Sequence, residues 1–327
     1  MRVLVLGATG TIGSATVKAL LAQGHEVVCL VRNKAGVNGA WSIDRTRDTL
    51  AGAEVRVCNV QSKDESKNIG LRGDSFDAIV SCLASRTGAP KDAWEIDYRT
   101  HSQWLSLAKT SGIPRFVVLS AICVQKPLLG FQQAKLAFEK ELMTSGLAYS
   151  IVRPTAFFKS LSGQLKRLQQ GKPFLLFGDG NLTACKPISD NDLGHFIASC
   201  LLDSDKQNQI LPVGGPGEAI TPLQQGEYLF KLLGKKPHYK NVPVKLLDVI
   251  ITVLKTAGWF IPYMADKAEL ARIGRYYATE SMLVWNSKTQ AYDADATPSY
   301  GTQTLFEHYE QLVAGKLDVQ LGDHSVF

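Results

Sequence analysis

Apolar and polar positions follow two alternating patterns along the first half of the chain. Short runs of Val, Ile and Leu, typical of strands buried on both faces of a sheet, alternate with longer segments in which apolar residues recur every three or four positions, as in an amphipathic helix. The predicted strands are 2–8, 25–32, 54–60, 76–84, 115–122 and 148–154, and the predicted helices are 11–24, 97–112 and 131–146. This order predicts an α/β fold with a doubly wound parallel Rossmann sheet.

The alternation becomes less regular after about residue 155. A helix is predicted over 157–170 and another from Ser189, where a serine cap precedes an acidic first turn. The rest is predicted to be mostly helical and to pack over the carboxyl ends of the strands, where ligands bind in such sheets. We therefore predict a nucleotide-binding Rossmann domain over 1–155 and a smaller, mostly helical substrate-binding or cap region over 156–327, and leave open whether parts of it return to the sheet.

One apolar segment, residues 242–264, differs from the amphipathic helices around it. Lys245, Asp248 and Lys255 interrupt the apolar run, which falls short of the ~20 apolar residues of a transmembrane helix. The pattern favours a buried helix or a hydrophobic substrate lid, and contact with a membrane surface is the alternative.

The composition limits the classes of function. Of the 327 residues, 45% are apolar and 20% are charged, which is typical of a globular protein. The net charge of +6 is spread along the chain, which suits an anionic ligand and gives little support to nucleic-acid binding. The six cysteines form no CxxC pair and no Cys/His cluster, so we predict buried reduced thiols and no metal site.

The strongest motif is LVLGATGTIG, in which three glycines follow the first strand and open the first helix. Gly7 permits a tight turn, Gly10 allows a pyrophosphate to approach the backbone, and Gly13 lets the helix pack on the strand. Free N–H groups at the start of the helix then bind the phosphates. A dinucleotide-binding turn is therefore predicted. Its further predicted cofactor contacts are Thr9, Thr11 and Ile12.

The end of the second strand indicates which dinucleotide is bound. An NAD site carries a carboxylate there for the ribose 2′-hydroxyl, but this chain has Arg32 and, two positions later, Lys34. A guanidinium suits a 2′-phosphate, so NADPH is favoured over NADH. The ends of later strands supply the remaining predicted contacts, which are Asn59 and Val60 at the adenine, Leu83 and Ala84 at the nicotinamide ribose, and Pro154 and Ala156 at the carboxamide. An ordinary loop position is the alternative for Asn59.

The segment FQQAK raises a question about the chemistry. Nucleotide-dependent reductases usually carry a tyrosine four residues before a lysine, whereas this chain carries Phe131 before Lys135 and has no hydroxyl there. Ser120 lies where such reductases place a serine. It could contact the substrate, or its hydroxyl could be satisfied by a hydrogen bond to the backbone. His195 lies in a predicted helix without a partner in sequence, so a packed or capping histidine is favoured over a catalytic one.

These motifs together resemble the NmrA/isoflavone-reductase-like branch of atypical short-chain dehydrogenases/reductases, and within it the NADPH-dependent divinyl chlorophyllide 8-vinyl reductase family. The similarity runs from end to end through LVLGATGTIG, CLVRNK, LSAICVQKPLLGFQQAKLAFE, YSIVRPTAFFKSL, PISDNDLG, LPVGGPGEAITPLQQGE, RYYATESMLVW and LGDHSVF. The glycine motif is shared by many nucleotide-binding proteins, whereas VQKPLLGFQQAK and YYATESML are particular to this family.

The resemblance implies reduction of the 8-vinyl group of a tetrapyrrole, divinyl chlorophyllide or protochlorophyllide, with NADPH as electron donor. Phenylalanine in place of tyrosine is usual in that family. Our hypothesis is that Lys135 holds the nicotinamide ribose while Phe131 packs against the nicotinamide or the macrocycle. Aromatic residues expected to line the flat substrate, with helix core as the alternative, are Phe157, Phe158, Trp259, Phe260, Tyr263, Tyr276 and Tyr277.

Two other functions stay open. An NADP-sensing or assembly protein without turnover would explain the missing tyrosine, and a reductase of another planar hydrophobic substrate would use the same cofactor turn. The segments 274–285 and 321–327 favour the vinyl reductase family. The chain opens on a strand-like segment without the pattern of a signal or transit peptide, which predicts either a bacterial cytoplasmic protein or a mature organellar form in the chloroplast stroma or at the thylakoid surface. Peripheral contact with a membrane is compatible with either.

Overall fold

A seven-stranded sheet forms the centre of the computed structural model, which describes residues 1–36, 39–259 and 261–317. In chain order the strands are β1 (Arg2–Leu6), β2 (Glu26–Val31), β3 (Glu54–Val57), β4 (Ala78–Ser81), β5 (Arg115–Leu119), β6 (Ala148–Pro154), β7 (Phe174–Phe177), β8 (Gln209–Val213), β9 (Tyr239–Val242), β10 (Val284–Asn286) and β11 (Ala291–Asp293). The closing segment 321–327 lies outside the described residues.

Helices connect and cover these strands. They are α1 (Thr11–Ala22), α2 (Ile43–Thr49), α3 (Lys63–Glu65), α4 (Pro90–Ala93), α5 (His101–Thr110), α6 (Gly130–Met143), α7 (Phe158–Leu161), α8 (Gly163–Gln169), α9 (Asp190–Ser199), α10 (Pro222–Leu232), α11 (Val244–Gly258), α12 (Pro262–Thr279) and α13 (Leu305–Val313). Wider π-helical turns span Ser66–Leu71 and Trp94–Thr100.

The central sheet has the order β3-β2-β1-β4-β5-β6-β8, and each neighbouring pair is parallel. All six predicted strands are confirmed as members of this sheet. The order reverses between β1 and β4, which is the switch point of a doubly wound sheet and leaves a crevice at the carboxyl ends of the strands. The predicted Rossmann architecture is therefore confirmed.

The seventh strand, β8, was not expected from the sequence. Its segment QILPV is short, exposes Gln209 and Ile210, and contains Pro212, which has no N–H group to donate. A proline is tolerated in a strand at the edge of a sheet, and β8 occupies the edge beside β6. The sheet is thus completed by residues from beyond position 155.

Helix α9 also joins the first half of the chain, because it packs directly against α1. A Cβ atom at Gly194 would lie 2.7 Å from the carbonyl carbon of Ala15, so only glycine permits this approach of the two backbones. Leu193 and Ile197 of α9 belong to the same buried cluster as Val17 of α1. The division at residue 155 remains a prediction. The helices α1 and α9, which come from opposite sides of that division, pack together in one layer on the sheet.

Two predicted helices differ in detail from the structure. The helix expected over 157–170 is two short helices, α7 and α8, separated at Ser162, whose hydroxyl donates to the Phe158 carbonyl. The helix expected over 97–112 begins earlier, in the π-helical turn Trp94–Thr100, and continues as α5. The predicted cap at Ser189 is confirmed, since its hydroxyl accepts the N–H of Asp192.

Helices α11 and α12 form a hairpin with an uncovered apolar face. No residue of α11 is buried, so the expectation of a buried helix over this segment is wrong. Leu246, Val249 and Val253 are 48%, 59% and 59% exposed and recur with helical spacing. Among the described residues, no helix is long and apolar enough to cross a membrane.

All six cysteines are free; five are buried and Cys82 is half-buried. Burial raises the pKa of the Cys29 thiol to about 12, so that thiol stays protonated at neutral pH. The predicted burial is confirmed for five of the six cysteines.

Candidate active site

The glycine turn between β1 and α1 is shaped for close backbone approach. Gly7 has φ +76°, and a Cβ there would lie 2.7 Å from the carbonyl carbon of Cys82, at the end of β4. A Cβ at Gly13 would lie 2.1 Å from the Gly7 oxygen, whereas one at Gly10 would meet nothing closer than 3.4 Å. Gly7 and Gly13 are thus required by the fold, and Gly10 leaves the space that a pyrophosphate needs.

The start of α1 is free to bind phosphate. Gly10 is its N-cap, and no side chain caps the first N–H groups of the helix. Thr11 is exposed and Thr9 half-buried, whereas Ile12 is buried in the core beneath the turn. The side chains of the two threonines can therefore reach a ligand, while Ile12 can offer only its backbone N–H.

A lysine from a distant helix also reaches this turn. Lys159 Nζ of α7 lies 3.3 Å from Thr11 Oγ1. Burial raises the pKa of Asp190 to about 6, and the charge of Lys159 acts in the opposite direction. Nothing in the local sequence indicated that Lys159 belongs to this turn, because Lys159 and Thr11 are 148 positions apart.

The cationic groups predicted for the 2′-phosphate lie at the end of β2. Arg32 and Lys34 are both exposed, and neither forms an ion pair with any described residue. The described part of the chain offers no carboxylate to the ribose from this strand end, where Arg32, Asn33 and Lys34 follow Val31. The arrangement suits NADPH.

At the adenine end, the predicted contacts already take part in a turn. The Asn59 Oδ1 atom accepts the N–H of Gln61 at 3.2 Å, and the Asn59 N–H donates to Glu65. The Val60 carbonyl accepts the indole N–H of Trp104 at 3.0 Å. Asn59 is exposed, and its amide NH₂ group can still donate to a base although its oxygen already accepts a local N–H group, as expected of a loop asparagine.

The contacts predicted for the nicotinamide end lie at the same edge of the sheet. Leu83 is half-buried and Ala84 exposed after β4, and the Leu83 nitrogen is 2.8 Å from the Cβ position of Gly7. Pro154 is buried at the end of β6, and the carbonyl of the half-buried Ala156 accepts the N–H of Ile188 at 2.9 Å. Pro154 is thus the buried member, whereas Leu83, Ala84 and Ala156 retain surface open to a ligand.

Lys135 is held by a buried carboxylate. Its Nζ lies 2.9 Å from Asp97 Oδ1, and the Asp97 side chain is fully buried. The N–H of Ser85 points at both Asp97 oxygens, at 3.3 Å. Asp97 lies in the π-helical turn Trp94–Thr100, a type of turn that is frequent at functional sites. Asp97 therefore fixes the ammonium group of Lys135 below the loop that follows β4.

Ser120 belongs to a second buried charge network. Its hydroxyl donates to Glu139, whose two carboxylate oxygens also accept from Arg153 of β6. Ser120 is 6% exposed and Glu139 is 1% exposed. A carboxylate, rather than the backbone, thus satisfies the serine. The hydroxyl proton is committed to Glu139, which counts against a catalytic role for Ser120.

Phe131 forms one wall of an apolar cluster above the sheet. We call this the Phe131 cluster; its buried members are Ala93, Ile122, Cys123, Leu129, Phe131, Ala134, Cys185, Tyr276 and Met282. Phe131 itself is 9% exposed. A Cβ at Gly88 would lie 2.8 Å from Ile273 and 3.7 Å from the Phe131 ring, so the loop after β4 is wedged between α6 and α12.

Two adjacent tyrosines of α12 meet this cluster in different ways. Tyr276 is 3% exposed, and its hydroxyl donates to the carbonyl of Cys123 at 2.9 Å or of Lys126 at 3.1 Å. Tyr277 is 43% exposed, yet its hydroxyl lies 3.9 Å from the buried Cys123 thiol. Burial of that hydroxyl raises the pKa of Tyr277 well above its usual value.

Comparison with known proteins identifies the family. A family model described as NAD(P)H-binding matches residues 7–204. The divinyl chlorophyllide a 8-vinyl-reductase of Cucumis sativus is 51% identical over 99% of this chain and 79% of its own length. The chain belongs to the divinyl chlorophyllide a 8-vinyl-reductase family. The corresponding reductase of Arabidopsis thaliana is 47% identical over the same shares of the two chains. The resemblance seen in the sequence is confirmed.

The solved structures similar to this vinyl reductase family member share its fold. The NADPH-dependent quinone oxidoreductase of Escherichia coli, complexed with NADPH, has a TM-score of 0.65 at 19% identity and covers 96% of this chain and 100% of that one. The UDP-glucose 4-epimerase of Thermus thermophilus, complexed with NAD, has a TM-score of 0.60 at 20% identity and covers 74% of this chain and 86% of that one.

The aromatic residues expected to line the flat substrate do not form one pocket in this reductase. Phe158 is 2% exposed and packs in the core against His308, and Phe157 packs on the cluster beneath the sheet. Trp259 and Tyr263 are 80% and 61% exposed at the tip of the α11–α12 hairpin. Phe260 lies outside the described residues. Of the members that the structure describes, only Tyr276 and Tyr277 reach the Phe131 cluster.

The polar residues of α9 have structural roles in the reductase. His195 is exposed, and its Nδ1 lies 2.8 Å from the Asn191 carbonyl one turn earlier, in agreement with the capping interpretation. Asp192 accepts the Ser189 hydroxyl at 2.8 Å and the backbone N–H of Thr302 at 3.3 Å. Among the residues described, no group of three His, Cys, Asp or Glu side chains is suited to a metal ion.

Proposed function

We propose that this chain reduces the 8-vinyl group of divinyl chlorophyllide or divinyl protochlorophyllide to an ethyl group, with NADPH as electron donor. The observation that carries the proposal is the 51% identity to the cucumber reductase, which extends over 99% of the chain. The glycine turn supports it independently, because its geometry admits a dinucleotide and the residues that follow β2 are basic.

Different residues of the chain bind different parts of NADPH, which supplies a hydride when bound. The backbone around Gly10 and the start of α1 bind the pyrophosphate, and Lys159 lies beside it. Arg32 and Lys34 bind the 2′-phosphate. Lys135, oriented by Asp97, donates to the nicotinamide ribose, as the buried pair at 2.9 Å supports.

Phe131 suits this substrate for an electronic reason. A ketone reductase makes an alkoxide, and an acid placed to protonate it contributes ~10²–10⁴ in rate. In a vinyl tetrapyrrole the added negative charge is delocalised over the macrocycle, so the position beside Lys135 can be apolar. The flat ring of Phe131 is then a surface against which the nicotinamide or the macrocycle packs.

The exposed face of α11 supports contact with a membrane surface. Its apolar residues point away from α12, to which α11 is tied by the ion pair of Asp248 with Arg275. Lys245 and Lys255 flank the face and are exposed, which suits anionic lipid headgroups. A substrate lid is the competing role. We further propose a chloroplast location, which the chloroplastic relatives from cucumber and Arabidopsis support.

The experiment that tests the activity uses the pure full chain with divinyl chlorophyllide and either NADPH or NADH. Chromatographic separation of vinyl and ethyl pigments measures the product. We expect the ethyl pigment, formed faster with NADPH. Tight NADPH binding without any product would overturn the proposal and favour a sensing or assembly role; the photosystem II assembly factor of Synechocystis is 29% identical over 79% of this chain and 76% of its own.

A further inference from the structure

We infer that Tyr277 gives the proton that completes vinyl reduction, and so supplies from α12 the phenol that position 131 lacks. The inference rests on the proposed function and deepens it. Tyr277 lies on α12, 146 positions after Phe131 in the sequence.

The position of Tyr277 follows from how α12 packs. Ile273 meets the Phe131 ring across Gly88, and Tyr277 lies one helical turn later on the same face. The Tyr277 hydroxyl is 3.9 Å from the thiol of Cys123, which belongs to the Phe131 cluster. The positive charge of Lys135 also acts on that thiol. The phenol, Phe131 and Lys135 are therefore neighbours above the carboxyl ends of the strands.

Three hydroxyl groups near the cluster are committed to strong acceptors, whereas Tyr98, on the Trp94 side of the cluster, serves below as the control phenol. Tyr276 donates to a backbone carbonyl, Ser120 donates to Glu139, and Thr155 donates to the Lys186 carbonyl. Within the described residues, the Tyr277 hydroxyl has only the Cys123 thiol, a weak partner at 3.9 Å. Its proton is thus not engaged with a strong acceptor and can be donated to a ligand.

The ionisation and exposure of Tyr277 suit this task. Its raised pKa keeps the phenol protonated at neutral pH, so that the proton is present when the substrate binds. The residue as a whole is 43% exposed, while its hydroxyl is buried beside the Cys123 thiol, so a substrate that packs against the Phe131 cluster can reach the phenol from the open side of the ring.

The step balances in atoms and electrons. Addition of the hydride to the terminal vinyl carbon breaks the C=C π bond and leaves its electron pair on the carbon attached to the macrocycle. That carbon takes the proton of the Tyr277 hydroxyl and forms the second new C–H bond. The phenolate that remains takes a proton from water. One hydride and one proton are consumed for each ethyl group, and NADPH is oxidised to NADP⁺.

The test compares the wild-type chain with Tyr277→Phe, which removes only the hydroxyl, and with the control Tyr98→Phe. Tyr98 is a half-buried phenol that packs on Trp94 beside the same cluster. We expect Tyr277→Phe to lower kcat by ~10²–10⁴, with the Kd for NADPH and the melting temperature unchanged. Tyr98→Phe should retain kcat.

Three results would overturn the inference. Activity of Tyr277→Phe within about threefold of wild type would remove the role, and so would a loss confined to Tyr98→Phe. A fall of kcat accompanied by an equal weakening of NADPH binding would make Tyr277 a structural residue. The proposed function fails separately, if the wild-type chain itself forms no ethyl pigment, and the role of Tyr277 then falls with it.

Discussion

At the scale of single residues, the position of Lys135 depends on Asp97. We expect Lys135→Ala to lower kcat/KM by at least ~10² and Asp97→Asn to lower it by ~10-fold, because the asparagine retains a hydrogen bond but not the charge that orients the ammonium group. Steady-state kinetics with varied NADPH measure both. Lys140→Ala, an exposed change on the same helix, is the control. Unchanged kinetics in Lys135→Ala would refute the ribose-binding role.

The choice of cofactor is predicted to depend on Arg32. Arg32→Ala should weaken NADPH binding by ~10–100-fold, the size of a lost hydrogen bond to a charged group, and leave NADH binding nearly unchanged. Titration of each cofactor against the protein measures the two affinities. Lys18→Ala removes an exposed cation from α1 and should alter neither. An equal loss for both cofactors would count against contact with the 2′-phosphate.

His101 makes stability depend on pH. Its Nδ1–H donates to the Ile96 carbonyl at 2.8 Å, so Nε2 accepts the Ser81 hydroxyl and the ring is neutral. Burial, aided by the charge of Lys135, lowers the pKa of His101 to about 4 from its usual 6.5. Between these values the unfolded chain binds a proton that the folded chain does not, so this stability is complete above pH 6.5 and falls as the pH is lowered.

The expected loss from His101 is roughly 2 kcal/mol of unfolding free energy between pH 7 and pH 5. Urea denaturation at the two values measures it. His101→Gln should be less stable throughout, but its stability should change less between the two pH values. An identical pH dependence in the two proteins would show that His101 is not the group that titrates.

The predicted cofactor site rests on single residues and local motifs, whereas the network of contacts that supports it in the structure could not be read from the sequence. The glycine motif directly follows β1 and Arg32 directly follows β2, so the local sequence pattern is enough to place them at the strand ends. Asp97 contacts Lys135 across 38 positions, and Tyr277 meets Cys123 across 154. Such pairs are brought together by tertiary packing alone, which leaves no periodic signal in the sequence.

At the scale of elements, the proposed membrane contact depends on the exposed apolar face of α11. Val249→Asp with Val253→Asp should reduce sedimentation with vesicles of phosphatidylglycerol and phosphatidylcholine several-fold, because a charge in that face opposes its burial among lipid chains. The rate with detergent-dissolved pigment should be preserved. Leu202→Asp, at another exposed apolar residue, is the control. Intact vesicle binding with a loss of pigment reduction would instead favour the substrate lid.

Helices and strands were predicted well where their burial produces a clear pattern of apolar residues in the sequence. They were predicted poorly where it does not. The five interior strands, β1, β2, β4, β5 and β6, have apolar runs, since both their faces are covered. β8 lies at an edge with two exposed residues and a proline, so its pattern resembles a loop. Residues 242–264 were expected to form a buried helix or a substrate lid because the segment is apolar, with a membrane surface as the alternative. An apolar sequence alone does not indicate what covers it.

At the scale of the whole molecule, the Rossmann sheet depends on both halves of the chain. A fragment of residues 1–155 lacks β8 and α9, and so exposes the edge of β6 and the face of α1 that packs on Gly194. We expect it to be insoluble, or to unfold without a cooperative transition. The full chain, expressed in parallel, is the control for circular dichroism and NADPH binding. A soluble fragment that melts cooperatively and binds NADPH would establish residue 155 as a true domain boundary.

The late arrival of β8 also matters while the protein is being made. The ribosome must add the 59 residues from 155 to 213 after β6 is complete, which takes roughly 3 to 12 seconds at ordinary rates of synthesis. During that time the nascent chain can present an unpaired strand to neighbouring chains. Slow codons within this stretch should therefore lower the yield of soluble protein more than slow codons placed after residue 213.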